Sequence, residues 1–149
     1  MLIEKWDVVH QELPLFLSLG LYVKGCELRC PGCHSIELWH KKGGIQLTET
    51  KLEELLNKYV GYVECIIFFG GEWEDKLVAY LKKCHSYGLK TCLFTGQENV
   101  SDEIKEHLDY IKVGKYVQEK GGLNEIETNQ RMIEVKSGRI LNDLYRRGE

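Results

Sequence analysis

Proline is scarce: the 149 residues contain two, Pro14 and Pro31. Neither sign of charge dominates. Lys plus Arg total 20 against 23 for Asp plus Glu, a formal net charge of −3. With no basic excess to neutralise phosphates, nucleic acid is not an expected partner. Long hydrophobic runs are missing as well. Stretches such as Cys65 to Phe69 fall far short of the roughly 20 residues that a membrane span needs. Met1 to Val9 alternates charged and apolar residues and lacks the apolar block of a secretory signal. Internal repeats, low-complexity tracts and linker-like segments are absent. These absences predict one domain over residues 1–149, in the cytoplasm, with no membrane partner. A hydrophobic fraction of 43% and a charged fraction of 29% exclude disorder and collagen-like structure. A chain of this size buries roughly 68–70% of its unfolded surface, enough for a core.

Apolar runs alternate with amphipathic segments. Leu15 to Val23 reads as a strand that ends at Lys24-Gly25. Leu52, Leu55, Leu56, Tyr59 and Val60 fall on one helical face, with Thr50 and Glu53 as a capping box and Gly61 as a stop. Val63 to Phe69 reads as a buried strand closed by Gly70-Gly71-Glu72. Asp75 to Tyr87 reads as a helix, and Lys90 to Phe94 as a strand ending at Thr95-Gly96. Ser101 to Leu108 is a short helix, Tyr110 to Val113 a strand, Gly121-Gly122 a loop, and Met132 to Val135 a last strand. Strand–helix alternation predicts an α/β fold with βαβ units and a mostly parallel sheet. Ligands bind at the carboxyl ends of such strands. Three loops are therefore expected on one rim: Gly25 to Ser35, Gly70 to Glu72, and Thr95-Gly96.

Six cysteines in a cytosolic chain point to metal or redox chemistry before structural disulfides. Three of them, Cys26, Cys30 and Cys33, have the spacing C-x3-C-x2-C. Three thiolates on one short loop suit three irons of a cubane cluster. The fourth iron then keeps an open position, which is what distinguishes a catalytic metal site from a structural one. Pro31 and Gly32 suit the tight turn between the last two thiols. Two other readings stand beside this one. Cys30-Pro31-Gly32-Cys33 is half of a zinc knuckle, although no second C-x2-C follows. The same four residues match a dithiol motif, which leaves Cys26 without a role. Cys65, Cys84 and Cys92 read as buried small hydrophobes. Gly70-Gly71 allows a ligand to approach the strand end closely, where backbone carbonyls accept hydrogen bonds from an ammonium group. Thr95 is either a ribose or carboxylate contact or a turn residue. Lys112 sits on the following strand with its role open, and Lys24 and Arg29 read as hydrated flanking cations. Trp6, Trp39 and Trp73 read as packing residues.

The cysteine loop after a strand, together with the Gly-Gly-Glu strand end, resembles the radical S-adenosylmethionine (SAM) superfamily. That resemblance implies a short, incomplete (βα) barrel, one 4Fe–4S cluster held by Cys26, Cys30 and Cys33, and SAM as co-substrate. It implies SAM contacts from Gly32, Cys33, His34, Gly70, Gly71, Glu72 and Thr95, with no catalytic residue beyond the cluster ligands. The shortness of the chain, Gly25-Cys26 with Cys30-Pro31-Gly32-Cys33-His34, and the run from Asp109 to Tyr116 narrow the resemblance further. So do Gly121-Gly122-Leu123 and Thr128-Asn129-Gln130-Arg131. Together they resemble the glycyl-radical activases of anaerobic ribonucleotide reductase. The implied partners are the large subunit of that reductase and a low-potential electron donor such as flavodoxin. Activation of a different glycyl radical enzyme, and a zinc-binding interaction module, are the alternatives.

Overall fold

The computed structural model describes residues 1–25 and 44–146. Among the described residues eight strands form one sheet: β1 Leu2–Val9, β2 Ser18–Val23, β3 Ile45–Gln46, β4 Cys65–Phe69, β5 Lys90–Phe94, β6 Tyr110–Val113, β7 Arg131–Glu134 and β8 Arg139–Ile140. Their spatial order is β3-β1-β2-β4-β5-β6-β7-β8. Among the same residues three helices are interspersed: α1 Glu49–Tyr59, α2 Leu77–Ser86 and α3 Asp102–Lys105. A 3-10 turn covers Asn142–Tyr145.

The α/β class is as expected, but parallel pairing is confined to the centre. β2, β4, β5 and β6 are parallel neighbours, whereas β1, β3, β7 and β8 join antiparallel. Connection type explains the difference. β4, β5 and β6 are linked through α2 and α3, the crossovers that parallel pairing demands. Residues 10–17 and 114–130 connect their strands without a helix, so the chain folds back antiparallel. The result is a mixed sheet bounded by β3 and β8 among the described residues, rather than a mostly parallel one.

Side-chain alternation divides the core between two faces. Leu19, Leu21, Val23, Ile66, Phe68, Leu93, Ile111 and Val113 pack with Leu52 and Leu56 of α1, Leu77 and Leu81 of α2, and Ile104 of α3. On the other face Cys65, Ile67, Cys92, Tyr110 and Met132 are covered by Leu13, Phe16, Leu141, Leu144 and Tyr145. The α1 stripe is as expected; its cap is not. Thr48, not Thr50, is the N-cap, and its Oγ accepts from the Lys51 N–H at 3.1 Å. No capping box with Glu53 forms, because Glu53 lies a turn further on and pairs with Lys83 at 2.8 Å. No described helix is long and apolar enough to cross a membrane.

Candidate functional site

The central strands end at one level. Tyr22 pairs with Phe69, Phe69 with Phe94, and Phe94 with Lys112. Immediately beyond them come Lys24-Gly25, Gly70-Gly71-Glu72, Thr95-Gly96 and Gly114. Backbone hydrogen bonds stitch this rim: Gly70 N–H to Phe94 O, Thr95 N–H to Lys112 O, and Gly114 N–H to Gln97 O, each 2.8 Å. The described ends of the three expected loops are thus neighbours.

Gly70 and Gly71 have φ of 88° and 108°, a region closed to most L-residues. A Cβ on Gly70 would lie 2.9 Å from the Trp73 ring, and one on Gly71 would lie 3.3 Å from Val23 Cγ2. The two glycines therefore let the chain reverse tightly against the end of β2, with Trp73 folded over the strand end. The reversal points Glu72 toward β5. Its Oε1 accepts from the Thr95 hydroxyl. Its Oε2 is buried and has no hydrogen-bond partner among the described residues. Burial pushes the Glu72 carboxyl above the ordinary range, while the Thr95 hydroxyl, the backbone N–H of Glu72 and, least, the Lys112 ammonium pull it back.

Thr95 itself is 2% exposed. Its Oγ1 donates to Glu72 and accepts from the Gln97 N–H at 3.0 Å. The hydroxyl proton is therefore given to Glu72. Lys112 lies on the same rim. Its Nζ donates to Gly114 O at 3.2 Å and stands 5.8 Å from the Phe94 ring centroid.

Beneath the rim runs an aromatic ladder that the sequence reading missed. Tyr22 and Phe69 stack at 4.4 Å, and Phe69 meets Phe94 edge-on at 4.9 Å. Gly20 makes room for it, since a Cβ there would sit 2.6 Å from Phe69 Cε2. The available signal was an aromatic residue at or next to the end of β2, β4 and β5, and the register makes the three direct neighbours.

Cys26, Cys30 and Cys33 lie outside the described residues, as do Arg29, Gly32, His34 and Trp39. The other three cysteines are buried. Burial pushes the Cys65 and Cys84 thiols up to about 12, and raises the Cys92 thiol well above its usual value. They remain protonated and unsuited to metal ligation. Among the described residues no group of three or more His, Cys, Asp or Glu could hold a metal ion. Lys24 departs from its expected role as a hydrated cation. It is 5% exposed and its Nζ meets Glu4 Oε2 at 2.6 Å. Trp6 and Trp73 pack against the helix-side core, as expected.

Asn129, Gln130 and Arg131 turn out to brace the rim. Gln130 Nε2 donates to Gly114 O at 3.3 Å, and Asn129 Nδ2 donates to Lys115 O at 3.0 Å. Gln130 O accepts from Asn142 Nδ2 at 2.9 Å, and Arg131 donates to Asn129 O at 3.0 Å. The element ties the carboxyl end of β6 to β7 and to the C-terminal turn.

The described half of the site thus suits a ligand carrying an ammonium group. It offers a glycine strand end with no side chains of its own and a buried carboxylate oxygen without a partner among the described residues, next to the point where β2 leads into the cysteine segment. The chain is 31% identical over 112 residues to a pyruvate formate-lyase-activating enzyme of Clostridium pasteurianum. That match covers 68% of this chain and 47% of the relative, so the chain spans about half of that protein's length. A family model described as a 4Fe–4S single cluster domain matches residues 17–133, from the start of β2 through most of β7 and across both the cysteine segment and the glycine strand end. On that match the chain belongs to the 4Fe–4S single cluster domain family.

Proposed function

We propose that the chain is a radical SAM activase that generates a glycyl radical on a partner enzyme. The observation that carries this reading is the meeting of two features on one rim. One is a Gly-Gly-Glu strand end with an unpartnered buried carboxylate oxygen. The other is the β2 end that opens into Cys26-x3-Cys30-x2-Cys33. In this reading the three cysteines hold a 4Fe–4S cluster with one iron left open. When bound, the reduced cluster supplies the electron that cleaves the SAM sulfonium to a 5′-deoxyadenosyl radical.

The chain's own residues bind and orient. Gly70 and Gly71 admit the methionine end of SAM close to the backbone. Glu72 accepts from its ammonium, and Thr95 and Lys112 favour the charged carboxylate against the burial that disfavours it. Gly32, Cys33 and His34, which lie outside the described residues, are the further SAM contacts in this reading. In this reading the four parallel strands correspond to the core of a short, incomplete (βα) barrel, within a single domain in the cytoplasm. An incomplete barrel leaves its cluster face open to a partner's glycine loop, and the docked partner excludes water from the radical. The Cα–H of glycine suits this chemistry because both flanking amides stabilise the product radical.

The partner favoured by the Asp109–Tyr116 run and the Asn129–Arg131 element is the large subunit of anaerobic ribonucleotide reductase. A low-potential donor such as flavodoxin supplies the electron. Similarity to a pyruvate formate-lyase-activating enzyme favours a second reading, in which another glycyl radical enzyme is the target.

The test is anaerobic reconstitution with iron and sulfide, reduction, and EPR with and without SAM. A reduced 4Fe–4S signal that changes with SAM is expected, and Cys26→Ala, Cys30→Ala and Cys33→Ala lose it while Cys84→Ala keeps it. A colourless zinc protein indifferent to SAM refutes the proposal. Incubation with each candidate partner, read by the glycyl radical doublet, then separates the two targets.

A further inference from the structure

We infer that Thr95 is a positioning residue that fixes the Glu72 carboxylate so that Oε2 is the acceptor for the ammonium group of the bound ligand. This inference rests on the reading of the rim as a SAM site.

Two observations, besides the proximity of the residues, carry it. Thr95 is 2% exposed, so its hydroxyl proton has to be satisfied within the protein. A threonine that served only to cap the end of β5 needs no more than its acceptor contact with the Gln97 N–H. Here the proton is also committed, across 23 residues of sequence, to one oxygen of Glu72. The second observation concerns the other oxygen. Oε2 is buried and unpartnered among the described residues. A carboxylate without a clamp rotates about its terminal torsion, which is broad, and exchanges its two oxygens. With Oε1 held by Thr95, the rotation is stopped and Oε2 keeps one direction. A buried oxygen with unused acceptor capacity is costly unless a donor arrives. An ammonium group is the donor that best matches a carboxylate, through a charge-assisted hydrogen bond. Lys112 lies near enough to favour the charged carboxylate. Its Nζ donates to Gly114 O at 3.2 Å.

The arrangement divides the labour. Glu72 touches the ligand, while Thr95 acts through Glu72. Replacing Thr95 with valine keeps the shape of the side chain and removes the clamp. Replacing it with serine keeps the clamp and removes a methyl.

The test is calorimetric binding to the reconstituted protein with two ligands: SAM, and a SAM analogue with hydrogen in place of the α-ammonium. Thr95→Val is expected to weaken SAM binding about tenfold, the scale of one lost charge-assisted hydrogen bond. The same variant is expected to change affinity for the analogue by less than about twofold, and Thr95→Ser to bind SAM within about twofold of the wild type. Should valine not be accommodated, Thr95→Ala makes the same comparison. Equal weakening of both ligands, or a serine variant no better than the valine one, overturns the inference. Failure of the wild type to bind SAM at all overturns instead the reading on which the inference rests.

Discussion

A carboxylate kept charged in a partly dry site should cost the ligand-free protein stability, and Glu72→Gln measures that cost. Burial raises the Glu72 carboxyl from 4.5, and Thr95 and Lys112 offset this only in part. A group whose folded value lies above its unfolded one binds more protons when folded. The wild type is therefore favoured below the unfolded value near 4.5 and loses stability as pH rises through the folded value. Gln removes the charge but keeps an oxygen for the Thr95 hydroxyl. Relieving a buried, unpartnered charged oxygen gains roughly 1–3 kcal/mol, and weakening the Thr95 hydrogen bond from charge-assisted to neutral loses about 1 kcal/mol. The net expectation is a variant about 1 kcal/mol more stable than the wild type at pH 8, which raises Tm by roughly 2–4 °C. The difference should shrink toward zero as pH approaches 4. The assay is urea unfolding at both pH values with the midpoint read at constant slope. A Gln variant less stable than the wild type at pH 8, or a difference that does not change with pH, refutes the reasoning. The same variant should bind SAM more weakly. Gaining stability while losing ligand is the pattern of a residue retained for function.

At the opposite end of the strands, Asp109 has the reverse sign. Burial raises its carboxyl, but the Thr91 N–H at 2.9 Å and His85 Nε2 at 3.0 Å overcome that and hold it below its ordinary value of 3.8. Its contribution is present above that value and lost as pH falls through the lower folded one. Asp109→Asn should therefore cost about 1 kcal/mol at pH 7, with the gap closing in acid urea titrations. Gly114 has φ of 96°, and a Cβ there would lie 2.8 Å from Asn129 O. Gly114→Ala should cost about 3 kcal/mol, combining left-handed strain with a backbone clash, and lower Tm by roughly 6–12 °C in a thermal melt.

Much of the fold was legible because the central strands are short apolar runs between glycines. Lys90–Phe94 and Tyr110–Val113 have the expected bounds, and Leu52, Leu55 and Leu56 form the expected buried stripe. β1 alternates charged and apolar residues, but Lys5 and Asp7 give it an exposed charged face and a register irregularity between Ile3 and Lys5 breaks its period. β3 and β8 are two residues each, too short for any period to show. Thr48 and Thr50 compete for the cap of α1, and only the backbone at Thr48, extended at φ −87° and ψ 169°, suits the position. Within the site, a pair of glycines after a buried strand is a local signal and was visible. The Thr95–Glu72 contact spans two strand ends, and the ladder of Tyr22, Phe69 and Phe94 spans three strands. Both depend on register, which the sequence of one strand does not contain.

That register also explains why the site can be firm and yet open. The lower half of the non-helical face is filled: Leu13, Leu141 and their neighbours cover Cys65, Ile67, Cys92 and Met132. The upper half carries the half-buried aromatic ladder, locked between strands because Gly20 gives Phe69 its place. Each ring sits directly before a rim segment: Tyr22 before Val23 to Gly25, Phe69 before Gly70, and Phe94 before Thr95. Packed rings restrain the strand ends from which those segments start, and constellations built on packed strands are held more closely than ones built on loops alone. The bracing of Gly114 by Gln130 restrains the fourth strand end in the same way. Rigidity below the rim is what allows Glu72 Oε2 to remain in place without a partner. On a mobile loop that oxygen would turn to water, and the unmet acceptor that marks the site would not survive.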